Sequence, residues 1–324
     1  MKKKRMMYLL CAMMSIMAMV SFTNITVSAK KQKVVKIKVE PSQGKKVQDY
    51  DIQSALNMAS NDDGTKYIIT VPKGTYTFQS QNGLHIYSNT TLNIKGCTFK
   101  KGANLAQGAF IQVGYPRKET KKVNVWGGMG TGYYWGKYDR GHDIKVIGGT
   151  FDGGTRVNNI TTLCTFSHVR DITFKDTVFR YTPSKRNNAH LIECGGVKNL
   201  TLDGCKFYGN KLCGEAVQFE STYSGVAGSD LMGKTDGTKT SNVTVKNCMF
   251  SNFEYGIGTN HGCSKDVYSN MVIQNCKFSN ISKYAVCVYN YKLKMSKNKL
   301  EKCRSNSWSS MILRLGGSSS VKIG

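Results

Sequence analysis

The sequence predicts an all-β fold, namely a single-stranded right-handed parallel β-helix with a short N-terminal capping helix. One observation is that strand-like segments alternate with Gly, Asp or Asn, as in NLTLDGCKFYG and NVTVKNCMFSN. A second is a step of 28 residues between neighbouring segments, which occurs three times. A period in the twenties marks a solenoid in which one repeat forms one coil. A third is a pair of apolar residues seven positions apart, which recurs as Leu92/Phe99, Ile144/Phe151, Ile172/Phe179, Leu200/Phe207, Val243/Phe250, Met271/Phe278 and Leu293/Leu300.

The N-terminal segment is predicted to lie outside that fold. A basic start (Lys2–Arg5), an apolar run (Met6–Phe22) and small residues at Val27–Ala29 indicate a signal peptide over residues 1–29. The alternative is a membrane anchor, but the run is short for a span and ends in polar residues. We therefore expect a bacterial protein that is secreted, extracellular or cell-wall associated, with no membrane attachment after cleavage. Residues 30–48 are expected to form a basic, solvated leader.

The net charge of the 324-residue chain is +26, and four of its positive charges lie in the signal peptide, which leaves +22. Such an excess attracts anionic partners, here acidic polysaccharide or a teichoic-acid-rich wall, although it also serves solubility. Nucleic acid is not expected, because the chain is exported and shows no compact basic recognition motif.

Ten cysteines remain after the signal peptide. Cys97, Cys205, Cys248 and Cys276 each precede a repeat Phe by two positions and so share its inward face. We expect them to stack as small, reduced, buried side chains rather than to form disulfides. No CxxC pair occurs, so a zinc site is not expected.

The β-helix domain is expected over residues 49–324. Asp51 to Ala59 form an amphipathic segment with an Asp cap, which suits a helix closing the open end of a solenoid. Two segments break the repeat, 115–142 and 222–240, and are expected to be loops around the binding face. The chain ends within strand-like text, so we expect either that the sequence is truncated or that a protein partner covers the uncapped C-terminal end.

A family resemblance accompanies these patterns. The segment from Asp51 to Phe99, which contains DIQSALNMASNDDGTKYIITVPKGTYTF and LHIYSNTTLNIKGCTF, resembles the opening of pectin-lyase-like right-handed β-helix proteins. The segments HLIE and GEAVQFE look like an exported bacterial carbohydrate-active sub-group, similar in kind to β-helix lacto-N-biosidases, which use two carboxylates. The resemblance implies the fold over most of the mature chain, whereas one fold hosts many reactions. The Arg-x-Pro-x-x-Arg segment of pectate lyases and the paired aspartates of polygalacturonases are both missing, although Asn260-His261-Gly262 resembles a polygalacturonase histidine motif.

Candidate chemistry lies on the third strand of each coil. Side chains alternate faces along a strand. If the aliphatic residues of these strands point inward, two outward columns follow: Glu193, Gln218 and Gly258, then Gly195, Glu220, Asn260 and Tyr289. Glu193 and Glu220 would then be diagonal neighbours on adjacent coils, about 7–8 Å apart at the backbone. Glycoside hydrolysis requires such a pair of carboxylates. The alternative is that both acids are simply solvated and balance nearby lysines.

Two further acids are candidates. Glu215 begins its strand and is either catalytic or a turn cap. Asp230 lies in the second insertion, where it could reach the groove or serve as a turn residue.

Several residues are expected to bind substrate. His190 and His261 flank the proposed face and could orient a carboxylate or bind a sugar hydroxyl. Gly256 and Gly258 are expected to leave room for a ligand, or merely to ease a bend. The remaining candidates are the outward Gln218, Asn260 and Tyr289, and an aromatic platform for sugar rings formed by Trp126, Tyr134 and Trp135, unless these rings pack the loop onto the coil.

These features predict a glycan partner and, first, a glycoside hydrolase acting through its carboxylate pair. The first alternative is a polysaccharide lyase on an acidic glycan, assisted by Ca²⁺. The second is a non-catalytic surface protein that binds carbohydrate. No cofactor or metal is expected, with Ca²⁺ entering only in the lyase case, because Ca²⁺ needs clustered oxygen ligands.

Overall fold

The computed structural model describes residues 32–78, 83–102, 109–113, 136–154, 162–181, 190–210, 214–226, 232–259, 268–289, 292–315 and 320–324. The chain divides into two units, residues 1–32 and Lys33–Gly324. The second unit contains all described helices and strands. The predicted signal peptide lies outside the described residues.

Two helices are described, α1 (Asp49–Asn57) and α2 (Trp308–Met311). The strands are β1 (Val34–Lys38), β2 (Lys66–Thr70), β3 (Gly74–Phe78), β4 (Leu84–Ile86), β5 (Thr90–Asn93), β6 (Cys97–Lys101), β7 (Ile111–Val113), β8 (Gly141–Ile147), β9 (Thr150–Asp152), β10 (Thr162–Lys175), β11 (Val178–Arg180), β12 (His190–Asp203), β13 (Lys206–Tyr208), β14 (Glu215–Glu220), β15 (Thr240–Lys246), β16 (Met249–Thr259), β17 (Tyr268–Gln274), β18 (Lys277–Tyr289), β19 (Lys292–Ser296), β20 (Lys299–Glu301), β21 (Ile312–Leu315) and β22 (Ser320–Ile323).

The strands stack in parallel into three strips. The first begins β1–β2–β5–β8, the second β3–β6–β9–β11–β13, and the third β4–β7–β10–β12–β14. The long strands β10, β12, β16 and β18 bend through a corner and belong to two strips each. Each coil therefore contributes one rung to every strip, which confirms the predicted parallel β-helix.

A ladder of phenylalanines fills the core, as the repeat predicts. Phe179, Phe207, Phe250 and Phe278 are fully buried and stack with ring centroids 5.0, 4.8 and 4.7 Å apart. The spacing follows from the distance of about 4.8 Å between neighbouring strands. Such aromatic contacts add about 0.5–1.5 kcal/mol per pair beyond the burial of area.

The register departs from the seven-residue repeat between β5 and β8. Phe99 pairs with Phe151, but Leu92 pairs with Val146 rather than with Ile144. The corner after β8 is therefore two residues shorter than the corner after β5. Two consecutive glycines, Gly148 and Gly149, both with positive φ, make that tight corner.

One corner of the coil is built from Asp and Asn in the left-handed conformation. Asp171, Asn199, Asn242 and Asn270 have φ between 52° and 59°, which these short polar side chains tolerate better than most. Their side chains also bond along the axis: Asn199 Nδ2 donates to Asp171 Oδ1 (2.8 Å) and Asn242 Nδ2 to Asn199 Oδ1 (3.1 Å). The ladder thus stabilises both the turn and the stacking of coils.

The four stacked cysteines behave as predicted. Cys97, Cys205, Cys248 and Cys276 are buried and free, without disulfides. The Sγ atoms of Cys205 and Cys248 lie 3.4 and 3.5 Å from the backbone oxygens of Phe174 and Leu202. They pack as small apolar side chains with a weak donor.

Helix α1 closes the N-terminal end of the β-helix, and it begins and ends two residues earlier than predicted. Ile52 and Leu56 of α1 are fully buried, and the Asp51 carboxylate accepts the backbone N–H of Gln48 (2.8 Å), which caps the helix. The expectation of a solvated leader over residues 30–48 is wrong for Val34–Lys38, which form β1 and pair with β2. Its alternation of apolar and basic residues is a strand pattern.

Candidate active site

The predicted carboxylates lie on adjacent rungs of the third strip. Glu193 of β12 pairs with Gln218 of β14, and Gly195 pairs with Glu220. Gln218 in turn pairs with Gly258 of β16. The two outward columns expected from alternation are therefore present where the structure describes them.

The functional groups of three residues converge. One ligand atom each of His190, Glu193 and Glu220 lies within 4.8 Å of the other two. Thr162 Oγ1 donates to Glu193 Oε2 at 2.7 Å, and Gln218 Nε2 donates to Glu220 Oε1 at 3.0 Å. Glu193 is thus held by a neutral donor on the neighbouring strand β10, and Glu220 by a neutral donor on its own strand β14.

Glu215 joins this group through the histidine. His190 Nδ1 lies 3.2 Å from Glu215 Oε2, but its alignment is poor for a hydrogen bond, so the contact is best described as an ion pair. We call His190, Glu193, Glu215 and Glu220 the carboxylate cluster.

The charge state of His190 follows from its surroundings. Burial alone would lower the pKa of His190, but the contact with Glu215 and the charges of Glu193 and Glu220 outweigh it and raise that pKa to about 9. The imidazole is therefore protonated at neutral pH and carries a positive charge among three acidic side chains.

The cluster is buried rather than solvated. His190 is 5% exposed, Glu193 8%, Glu215 7% and Glu220 6%. The alternative of freely solvated outward acids is therefore wrong. Part of the cover comes from the second insertion, because a Cβ atom at Gly195 would lie 2.9 Å from Cγ of the buried Met232.

The two glycines expected to leave room for a ligand are instead in close contact with protein. A Cβ at Gly258 would lie 2.4 Å from Cγ of Glu215 and 3.0 Å from Oε1 of Gln218. A Cβ at Gly256 would lie 2.5 Å from the Ala285 carbonyl oxygen. Because Gly258 has no side chain, the Glu215 side chain occupies the space beside it.

Strict alternation fails at the start of β14, and this failure brings Glu215 into the cluster. Ala216 and Val217 are consecutive and both belong to the buried core. Glu215 nevertheless reaches the same side of the strand as Gln218, because a Cβ on Gly258 would lie close to both side chains. The described contacts of Glu215 are with His190 and Gly258, and its catalytic or turn-capping role stays a prediction.

Two residues that contact the site were not predicted from the sequence, Thr162 and Met232. Thr162 lies 28 residues before His190 and pairs with it, so the repeat period itself was the signal. Met232 lies in an irregular insertion, and the sequence repeat does not predict where such a segment packs.

A buried arginine lies along the same strip. Arg140 is 3% exposed, and its Nη1 donates to Ser167 Oγ at 3.1 Å. Ser167 pairs with Gly195, the rung next to Glu220. A guanidinium therefore lies on the N-terminal side of the cluster.

The other candidates are placed only in part. Tyr289 is half-buried against the core at the end of β18, and its role stays a prediction. Asp230, Asn260, His261, Trp126, Tyr134 and Trp135 lie outside the described residues.

Three residues of the cluster could hold a metal ion, but the set fits Ca²⁺ poorly. Ca²⁺ takes six to eight oxygen ligands, whereas His190, Glu193 and Glu220 offer two carboxylates and one imidazole. A ligating histidine must also be neutral, and His190 has a pKa raised to about 9.

Comparisons with known proteins support the fold class. Residues 150–305 match a family model described as the right handed beta helix region. No curated protein matches the chain. The chain therefore has the right-handed parallel β-helix fold.

Solved structures agree at low sequence identity. The chain is similar to PfbA, a surface adhesin of Streptococcus pneumoniae, with 20% identity and a TM-score of 0.60 over 82% of this chain and 63% of that one. A second PfbA structure gives 16% identity and a TM-score of 0.52 over 89% and 96%. A family 28 exopolygalacturonase from Yersinia enterocolitica gives 12% identity and a TM-score of 0.47 over 90% and 72%. The chain thus spans 63% of the first of these structures, and the likeness shows the fold alone.

Among the described helices, neither has the length and apolar character needed to cross a membrane.

Proposed function

We propose that the protein is a glycoside hydrolase whose catalytic pair is Glu193 and Glu220. The observation that supports this most is the convergence of these two carboxylates, whose nearest oxygens lie within 4.8 Å of each other in a buried site. A water-excluding site strengthens electrostatic interactions with a developing positive charge on the sugar.

The separation favours retention of configuration. Retaining enzymes place their carboxyl groups about 5–5.5 Å apart, whereas inverting enzymes need about 6.5–9.5 Å to admit a water molecule. In our proposal one carboxylate attacks the anomeric carbon while the other acid protonates the departing oxygen. Water then attacks the glycosyl ester, gives its proton to the second carboxylate and releases the first.

His190 is assigned a positioning role. Three carboxylates in a buried space repel one another, and an imidazolium among them offsets that repulsion. The protonated ring therefore holds Glu193 and Glu220 together without taking part in bond making. Thr162 and Gln218 fix the carboxylate orientations by the hydrogen bonds described above.

The test is a screen of the purified protein on a glycan panel, with products identified by mass, followed by Glu193→Gln and Glu220→Gln. We expect each variant to lose about 10²–10⁴-fold in turnover. Glu254→Gln is the matched control, because Glu254 is ion-paired with Lys283 (2.8 Å) on the outer surface and should keep full activity.

The same variants assign the two roles. Azide should rescue both, giving a glycosyl azide of inverted configuration from the nucleophile variant and of retained configuration from the acid variant. Full turnover by both Gln variants, on a substrate that the wild type cleaves, would refute the proposal.

A second candidate is a glycan-binding surface protein without catalysis. The ion pair between His190 and Glu215 favours it, because such a pair is also what a purely structural site would contain. Its fold is shared with a protein described as a surface adhesin. Binding without turnover of any glycan would select this candidate, and a product absorbing in the ultraviolet would select the lyase alternative.

We place this activity outside the cell, as the N-terminal sequence indicates. Detection of the mature chain, beginning after Ala29, in culture medium or wall extracts would test that location.

A further inference from the structure

A cavity lies at the N-terminal end of the described β-helix, away from the carboxylate cluster. It measures about 530 Å³ and is formed by the end of β1, the segment leading into α1, and β3. Four lysines line it, Lys38, Lys45, Lys46 and Lys73, with one acid, Glu40. We call it the basic cavity.

Most of this positive charge has no counter-charge. Lys38 Nζ pairs with Glu40 Oε1 at 2.7 Å. Within the described part of the chain, no carboxylate lies within 4 Å of the ammonium groups of Lys45, Lys46 or Lys73. Three uncompensated cations that face one cavity attract anions far more strongly than the same charges scattered over a surface.

The walls of the cavity are rigid and partly apolar. Tyr76 is buried and its hydroxyl donates to the backbone oxygen of Pro72, which fixes the ring. The exposed hydroxyls of Thr75 and Thr77 add hydrogen-bonding groups to the lining. The aliphatic stem of Lys73 lies beside Gly96, where an added Cβ would be 2.9 Å from its Cγ. Apolar walls, hydroxyls and cations together suit a sugar that carries negative groups.

We propose that the basic cavity binds an anionic saccharide, with Lys45, Lys46 and Lys73 pairing with its carboxylate or phosphate groups. Lysine acts as a point charge rather than a bidentate fork, so both kinds of anion satisfy it. In this proposal the basic cavity catalyses no reaction and holds the protein to an acidic glycan.

The basic cavity is separate from the carboxylate cluster. Four rungs separate β3 from β13, the strand that follows Glu193 in its coil. At about 4.8 Å a rung, this is roughly 19 Å along the axis. Binding there leaves the catalytic face free, so anchoring and cleavage could act on one polymer.

The experiment measures affinity by calorimetry for three probes, a galacturonic acid trimer, a glycerol phosphate oligomer and neutral maltotriose. We expect at least one anionic probe to bind, with an affinity that falls as salt rises. The substitutions K45Q, K46Q and K73Q combined should weaken that binding at least tenfold. The more tightly bound anionic probe identifies carboxylate or phosphate as the preferred group.

The matched control is K292Q, K294Q and K297Q combined. These three lysines are also exposed, but they lie in β19 and directly after it, far along the chain from the basic cavity, and their loss should change affinity less than twofold. Equal losses in the two triple variants would show that net charge alone attracts the ligand and would overturn the proposal. Equally tight binding of maltotriose, or no binding of either anionic probe, would also overturn it.

Folding and catalysis are separated from this result. The six lysines are on the surface, so both triple variants should keep the wild-type circular dichroism spectrum and melting midpoint. The Glu193→Gln and Glu220→Gln variants should bind the anionic probe as the wild type does. The test of the basic cavity is therefore independent of the test of the proposed hydrolase.

Discussion

Raising the pH above neutrality should weaken the carboxylate cluster, because it removes the proton from His190. The folded-state pKa of His190 is raised from 6.5 to about 9. A folded-state pKa above the unfolded value gives stability that is fully present below pH 6.5 and is lost as pH rises through about 9. At 1.36 kcal/mol per pH unit, the loss is about 3 kcal/mol.

The assay is a titration of ¹⁵N-histidine-labelled protein followed by the ring nitrogen shifts, together with urea unfolding at pH 6.5 and pH 9. The chain has only five histidines, and His85 provides an internal contrast, because burial and Arg140 lower its pKa to about 4. Glu215→Gln should lower the pKa of His190 and reduce the pH dependence of unfolding. Titration of His190 at or below pH 6.5 would refute the reasoning.

Three other substitutions test the packing. Gly258→Ala should destabilise the fold by about 1–3 kcal/mol, because its Cβ would lie 2.4 Å from Glu215 Cγ; Gly74→Ala, whose nearest contact is 3.5 Å, should leave the urea midpoint unchanged. Phe207→Ala removes a fully buried ring from the ladder and should cost about 3–5 kcal/mol, whereas a melting midpoint within 1 °C of wild type would contradict this. Asn242→Ala should be less stable than Asn242→Gly by thermal unfolding, because φ at this position is 55°, and the reverse order would exclude backbone strain as the cause.

The fold was predictable because the signal repeats. In each coil, one aliphatic and one aromatic side chain point inward and pack on the equivalent side chains of the neighbouring coil. The 28-residue step therefore predicts both the strand order and the Phe ladder. The repeat fails to report changes that occur in the corners. The pairing of Leu92 with Val146 depends on the Gly148–Gly149 turn, which a pattern of apolar residues does not contain.

The carboxylate pair was predictable for a related reason. Once Ile192 and Val217 are taken as inward neighbours, Glu193 and Glu220 must lie on adjacent rungs, as the register shows. The place of Glu215 was not predictable, because the period of two fails at the start of β14, where the consecutive Ala216 and Val217 both lie in the core. The burial of the site depends on contacts such as that of Met232 with Gly195, which join segments far apart in sequence.

The energetic cost of the cluster bears on whether it is merely structural. Buried ion pairs seldom stabilise a fold more than apolar residues of similar size would. The column that contains Glu193, Gln218 and Gly258 continues into Cys287 and Leu313, so the same position on later rungs accommodates apolar side chains. Charge is therefore not required by the coil at this column.

The charged groups lie on two neighbouring rungs and share one small buried space. Each carboxylate there loses its hydrating water and interacts with neighbouring side chains instead. A structural role needs only that these charges cancel. A role in glycoside cleavage needs instead that two carboxylate oxygens be held a fixed few ångströms apart while a third group offsets part of their repulsion. Glu193 and Glu220 provide the close oxygens, and the protonated His190 provides the positive charge, which Glu215 shares. One imidazolium does not neutralise three acidic side chains, so charge cancellation alone does not account for the arrangement, and this is the physical reason to look for turnover before binding alone.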